Sequence, residues 1–275
     1  MNNCLCLKLK SSVQRDDLFK LTDVIFNLYE DTYITSAKLV SAKANASGCT
    51  FRIIGNAYFM DSSSVPQGKT LNVGTSSVSF YIYSPDNNSK LIISDPENLV
   101  SVDFVYVKLS PVNDVQLQRL TAIEKFASAS SSFSADISNL SNKANLNGLT
   151  VVGLTGNVSS LVNTPNLTFI STTSGGNKLS GDAALVADNI ILIITGSTLS
   201  YTTRATTKKA VILNGGVNIG DRIDAYFNNF VECVDPGNPS FKVISVAGTR
   251  TSSSDAAVAT LKSRGYTVKV NGETL

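Results

Sequence analysis

"PNLTFISTTSGG", residues 165–176, places Leu167 and, three positions on, Ile170 in front of a run of small polar residues and glycines. A strand so short, with one apolar face, cannot hide that face by itself; stacked in parallel against copies of itself it can. The copies are present. "ENLVSVDF", "QRLTAIEKF", "NGLTVVGL", "DNIILIIT", "KAVILNGG" and "SFKVISVAG" carry the same element of an apolar residue, two others, then an apolar residue. Their leading positions, with that of the opening stretch, are Leu99, Leu120, Leu149, Leu167, Ile190, Ala210 and Phe241, spaced by 21, 29, 18, 23, 20 and 31 residues. An irregular period of this length predicts a solenoid over residues 97–275. Each rung would bury side chains worth about 1.5–3 kcal/mol apiece.

Residues 1–96 follow a different grammar. "CLCLKLK", "VIFNLYE", "CTFRIIGNAYFM", "KTLNVG", "SVSFYIYS" and "KLIIS" alternate or are β-branched, and "DSSSVPQG" and "SPDNNS" punctuate them. They predict an antiparallel β-sandwich of about six strands, serving attachment or oligomerisation. In "DDLFKLTDVIFNLYED" the residues Leu18, Leu21, Ile25 and Leu28 also fit a helical stripe, and the strand reading is preferred. Helices are expected at 180–188, 220–233 and 253–265; in the last, Ser253 or Ser254 caps, Asp255 suits the first turn and Gly265 ends it. "YTVKVNGETL" then supplies a closing strand. The expected class is α+β: an N-terminal β-sandwich, 1–96, and an irregular leucine-rich-repeat-like αβ solenoid with a helix-strand cap, 97–275.

Composition excludes several functions. Net charge is only +2, with scattered lysines and arginines, so no basic stripe tracks a nucleic-acid backbone. The longest apolar runs, such as "NIILIITG" at 189–196, are far shorter than the ~20 residues of a membrane span. The amino terminus, "MNNCLCLKLK", reads as a strand and not as a signal peptide. The chain has no histidine, which removes Ser-His-Asp, Cys-His and His-zinc chemistry, and no tryptophan. Cys4, Cys6, Cys49 and Cys233 form no CxxC pair and read as reduced, partly buried thiols.

Three pairs of carboxylates lie close in sequence: Asp182 with Asp188, Asp221 with Asp224, and Glu232 with Asp235. Such pairs serve glycosidases or bind calcium. Asp182 and Asp221, however, each follow a glycine at an expected helix start, where capping accounts for them. "TSGGNK" and "LNGGVNIGD" lack phosphate-loop spacing and read as turns. The triplets Asn139–Ser141 and Asn166–Thr168 are expected by chance in so Asn/Ser/Thr-rich a chain. Tyr81, Tyr83 and their neighbours alternate with core aromatics and could form an outward docking face. No catalytic, cofactor-binding or metal-binding residue is assigned, and no cofactor is expected.

The repeats resemble degenerate leucine-rich repeats: Leu149, Val152, Leu154 and Asn157 match L-x-x-L-x-L-x-x-N. Elsewhere the Asn position is taken by Ser128, Gly175, Thr198 and Thr249, with Asn218 in agreement. The pairing of a small β domain with Asn/Ser/Thr-rich "NLTxI" repeats, ending in "VAGTRTSSSDAAVATLKSRGYTVKVNGETL", resembles virion structural proteins of crAss-like phages of Bacteroidales. That resemblance implies a non-enzymatic virion component, assembled in the host cytoplasm: a head fibre or capsid-decorating protein presenting its repeats for adhesion. It implies homo-oligomers, a trimer ahead of a dimer, with other virion proteins and host surface glycans as partners. The alternatives are a tail-associated receptor-binding fibre, a bacterial surface or secreted leucine-rich-repeat adhesin and, more remotely, a polysaccharide-degrading enzyme.

Overall fold

The computed structural model describes residues 20–30, 38–105, 107–130, 132–172, 178–237 and 241–275. The expectations for the Cys4–Cys6 strand, for Leu18, for Gly175 and for most of "TSGGNK" lie outside these. The protein is mostly β with few helices, and so more β-rich than the α+β class expected.

The strands of the first part are β1 (Val24–Leu28), β2 (Lys38–Ala44), β3 (Cys49–Ile54), β4 (Tyr58–Met60), β5 (Pro66–Gly68), β6 (Thr70–Val73), β7 (Val78–Tyr83) and β8 (Lys90–Ser94). Next come β9 (Leu99–Phe104), β10 (Leu109–Pro111), β11 (Lys125–Ser128), β12 (Ala135–Asp136), β13 (Gly148–Val151), β14 (Leu154–Asn157), β15 (Phe169–Ser171) and β16 (Lys178–Ser180). The chain ends with β17 (Leu192–Ile194), β18 (Ile212–Asn214), β19 (Val217–Gly220), α1 (Ile223–Glu232), β20 (Val243–Gly248), α2 (Asp255–Ser263), β21 (Thr267–Val270) and β22 (Glu273–Thr274). The strand reading of "VIFNL" holds, and Leu21, which the helical stripe would have buried, is 94% exposed.

A five-stranded antiparallel sheet has the order β10-β1-β8-β3-β6; a ten-stranded mixed sheet has the order β18-β17-β15-β13-β11-β9-β2-β7-β4-β5. The two pack through aromatic contacts, Phe26 on Phe104 at 5.5 Å and Phe51 on Phe80 at 5.6 Å between ring centroids. Phe104 in turn meets Phe126, and Phe126 meets Phe133, so one aromatic chain runs from the antiparallel region into the parallel one. Hydrogen bonding in the larger sheet is likewise continuous across residue 96, because β9 pairs antiparallel with β2 on one side and parallel with β11 on the other.

From β9 to β18 the parallel strands follow one another in chain order. Their register stacks Val102, Phe126, Leu149, Ile170, Ile193 and Leu213 in one column, at intervals of 24, 23, 21, 23 and 20 residues. All six are buried. A second buried column lies three residues earlier: Leu99, Ile123, Leu146, Leu167, Ile190 and Ala210. The leading positions expected from sequence therefore mix columns. Leu149 belongs to the first and Leu167 to the second, while Leu120 belongs to neither, and with the columns sorted the spacing is more regular. Phe241 is a misassignment: it is 41% exposed, and β20 instead turns Ile244 and Val246 inward by ordinary strand alternation.

Four of the five excursions between rungs contain a 3-10 turn headed by Asn or Asp. Asn113, Asp136, Asn157 and Asp182 accept hydrogen bonds from the backbone N–H two residues on, heading Asp114–Arg119, Ile137–Leu140, Val158–Asn163 and Ala183–Leu185. Such a side chain satisfies a donor that the turn leaves without a partner. Successive Asx residues also stack through glycine. A Cβ on Gly181 (φ +90°) would lie 1.9 Å from Asn157 Oδ1, and one on Gly156 (φ +95°) would lie 2.5 Å from Asp136 Oδ1. The expected ladder positions Ser128, Thr198 and Thr249 are thus not the structural equivalents of Asn157, which does head its turn. The helix expected at 180–188 is reduced to Ala183–Leu185.

Residues 195–211 contain no 3-10 turn, and a buried arginine meets the neighbouring carbonyls there. Arg204 donates Nε to the Lys209 carbonyl (2.6 Å), Nη1 to those of Ala184 and Val186 (3.0 Å each) and Nη2 to that of Ala187 (3.1 Å). Asp188 lies 3.6 Å from the guanidinium. The Arg204 backbone exchanges two hydrogen bonds with the Asn229 side chain on α1, which also accepts from Tyr201 Oη at 2.7 Å. α1 buries Ile223, Tyr226, Phe227 and Phe230, a helical stripe, and Tyr226 Oη both accepts from Leu213 N and donates to Val211 O. α2 is where sequence places it, but Ser254 does not cap it by its side chain; Thr251 caps the preceding 3-10 turn, and Ser254 Oγ donates to Asp224. The closing strand is a hairpin, in which Asn271 and Gly272, both at positive φ, reverse β21 into β22.

One buried residue breaks its column. Counting back from the strands, Leu120, Lys143 and Thr164 are equivalent and all buried. Burial lowers the Lys143 ammonium from 10.5 to about 8. The unfolded chain thus binds a proton that the folded chain binds less well, and stability lost to this group is largest below pH 8 and recovers as pH rises toward 10.5.

Gly181→Ala is expected to cost about 2 kcal/mol, since it combines a positive φ with a collision against Asn157; Asn157→Ala should cost about 1 kcal/mol. Urea unfolding of each variant checks both. Lys143→Leu should stabilise the protein by roughly 2–3 kcal/mol at pH 7, a gain that shrinks toward zero between pH 8 and 10.5 in thermal melts.

Candidate functional site

The outer face of the ten-stranded sheet is built from the residues that alternate with the core columns. One row runs Lys43, Ser101, Lys125, Gly148, Phe169; the next runs Ser79, Ser41, Asp103, Ala127, Thr150, Ser171. Tyr81 and Tyr83 lie on this face beyond β2, with Phe80 and Ile82 inward, as the alternation of "SVSFYIYS" requires. Tyr83 packs on Tyr58 with ring centroids 5.5 Å apart.

At the centre of the face the side chains shrink and a cleft of about 190 Å³ opens, lined by Ser41, Ser101, Asp103, Lys125, Gly148 and Phe169 among others. Its geometry depends on Gly148. A Cβ at that position would meet the Phe169 ring at 2.8 Å, so the absence of a side chain lets the aromatic ring lie across the neighbouring strand. Phe169 supplies an apolar wall that is half-buried. Asp103 supplies a carboxylate held above the ordinary aspartate range by partial burial. Lys43 and Lys125 flank Ser101 in the same row, and neither they nor Asp103 form an ion pair among the described residues. An aromatic wall, a carboxylate, ammonium groups and several hydroxyls on one open surface suit binding of a polar ligand with an apolar face, such as a sugar ring.

The carboxylates singled out in the sequence are occupied elsewhere. Asp182 accepts from Ala184 N and from both the backbone and the hydroxyl of Thr202. Asp188 faces Arg204 and accepts from Lys209 N. Asp224 receives Thr251 and Ser254, whose hydrogen bonds outweigh the effect of desolvation and lower its pKa. Asp221 is exposed beside Arg222, which rather than Asp221 stands at the N-cap of α1, and Asp235 accepts from Tyr266 Oη. Among the described residues no group of three or more His, Cys, Asp or Glu is assembled to hold a metal. No described helix is long and apolar enough to cross a membrane. Cys49 and Cys233 are free and buried, and burial beside Asp95 pushes the Cys49 thiol up to about 12. The asparagines of the two triplets bind neighbouring turns: Asn139 Oδ1 accepts from Gln118, and Asn166 Nδ2 donates to the Ala144 carbonyl.

Phe169, Gly148, Asp103 and Lys125 were not singled out by sequence. The signal that finds them is register: only when Ile170 is aligned with Leu149 does Phe169 fall beside Gly148. Comparison with protein-family models, with curated proteins and with solved structures returns no match to this chain.

The cleft makes a direct spectroscopic prediction. In a carbon-detected NMR titration, Asp103 should take up its proton above the ordinary value of 3.8; a midpoint below that value would mean that a cation pairs with it in solution.

Proposed function

We propose that the chain is a non-enzymatic adhesive protein, a leucine-rich-repeat-like solenoid that presents its outer sheet face to a glycan. We further propose that it serves as a head-fibre or capsid-decorating component of a phage virion, in keeping with the resemblance of its carboxyl-terminal sequence. The observation that carries the reading is the outer face on which Phe169 lies over Gly148, with Lys125 in the same row and Asp103 in the next. Parallel rungs hold these side chains on rigid backbone, so a ligand would meet a surface already ordered, with little conformational entropy left to lose. In this reading residues 1–96 attach the protein to the particle or to copies of itself, and the remainder is displayed.

The test uses the purified chain and capsular polysaccharide from Bacteroidales cells. Retention of the polysaccharide on immobilised protein, with its size distribution unchanged, is expected, and Phe169→Ala should weaken retention about tenfold, the loss of roughly 1.4 kcal/mol of contact. Shortening of the polysaccharide during incubation would replace this reading with an enzymatic one. For the virion assignment, gold-labelled antibody to the chain should decorate intact particles.

A further inference from the structure

A second polar recess lies away from the sheet face, between consecutive 3-10 turns. It has a volume of about 280 Å³ and is lined by Gln118, Thr121, Ser138, Ser141, Asn142 and Lys143. Lys143 is only 4% exposed. Its ammonium carries three donors, and one of them reaches the Gln118 carbonyl at 3.1 Å. No carboxylate pairs with it among the described residues.

We propose that this recess binds a small oxyanion, a carboxylate or a phosphate, held by the Lys143 ammonium together with the surrounding hydroxyl and amide groups. A buried cation without a counter-charge is costly, and proteins normally pair such groups or replace them. The equivalent positions on adjacent turns are Leu120 and Thr164, so the fold has no need of a lysine there. Of the lining groups, Ser141 Oγ donates to the Ser138 carbonyl, Asn142 Nδ2 to Ser141 Oγ and Gln118 Nε2 to Asn139 Oδ1, which leaves the Thr121 and Ser138 hydroxyls and the second proton of each amide to donate to an anion. The nearby charged groups are engaged: Asp114 accepts from Asp136 N, Asp136 accepts from Ser138 N, and Arg119 donates to the Asp23 carbonyl. An anion that enters therefore has one cation to meet. Ligand binding would stabilise the folded chain by mass action and would hold the Lys143 proton more firmly.

The test adds sodium acetate or inorganic phosphate to the full chain at constant ionic strength, with chloride as the reference, and follows the melting temperature. At pH 7 at least one of the two should raise it in a saturable manner beyond chloride, and the active anion identifies the oxyanion class. The increment should vanish at pH 10, where the amine is neutral, and in Lys143→Met, whatever that variant's own baseline stability. Thr121→Val, which leaves the lysine in place, should weaken the apparent affinity severalfold and serves if Lys143→Met does not fold. The proposal is overturned if neither anion exceeds chloride, or if the increment persists unchanged at pH 10 or in the variants.

Discussion

A strand of three residues has too few hydrogen bonds and too little apolar area to persist alone, and this constraint governs the parallel part of the molecule. Strands β15, β17 and β18 are each three residues long. β15 and β17 endure because each lends its backbone to the rung before and the rung after, β18 pairs with β17 at the edge of the sheet, and the columns headed by Val102 and Leu99 give each rung two buried side chains. The antiparallel region starts the series: β2 and β7 present a preformed edge on which β9 pairs, and Phe26, Phe104, Phe126 and Phe133 continue the core from one region to the next. Cooperativity of this kind is nearest-neighbour in form, so damage to one rung is felt first by the two that flank it.

The excursions between rungs solve a different problem, that of backbone polar groups at corners. Asn113, Asp136, Asn157 and Asp182 meet it with their own side chains, and Gly156 and Gly181 leave room for the Asx residue of the turn before. Where no 3-10 turn forms, between Thr195 and Val211, Arg204 meets the carbonyls of Ala184, Val186 and Ala187 instead. A buried guanidinium is tolerated there because its donors are nearly all used, with Asp188 alongside. Removal of that one side chain would leave several carbonyls without partners at once.

How much of this could be read from the residues depends on periodicity. The alternation in "SVSFYIYS" and "CTFRII" gave strands with the correct inward faces, and α1 and α2 lie where their apolar stripes put them. The rung register was harder, because Leu117, Leu120, Ile123 and Phe126 are all buried and all three residues apart, as are Leu140, Lys143, Leu146 and Leu149. A search for apolar residues three apart therefore finds several equally good frames within one excursion. The Asx residue before each 3-10 turn breaks that degeneracy, and it is visible in sequence once sought. The cleft on the outer sheet face was illegible for the same reason, since Phe169 and Gly148 are neighbours only in the correct register.

The two ends of the parallel series differ in kind from its middle. At one end β9 turns antiparallel against β2; at the other β18 is the last strand of the ten-stranded sheet, and the chain passes into a separate four-stranded sheet, β19-β20-β21-β22, which the Asn271–Gly272 hairpin closes. Gain or loss of one excursion of about twenty-two residues, cut between equivalent Asx positions, would lengthen or shorten the outer face by one inter-strand step of about 4.8 Å and leave both closures intact. Sheet length, in a protein built this way, can change by duplication of a rung without refashioning the parts that start the series or follow it.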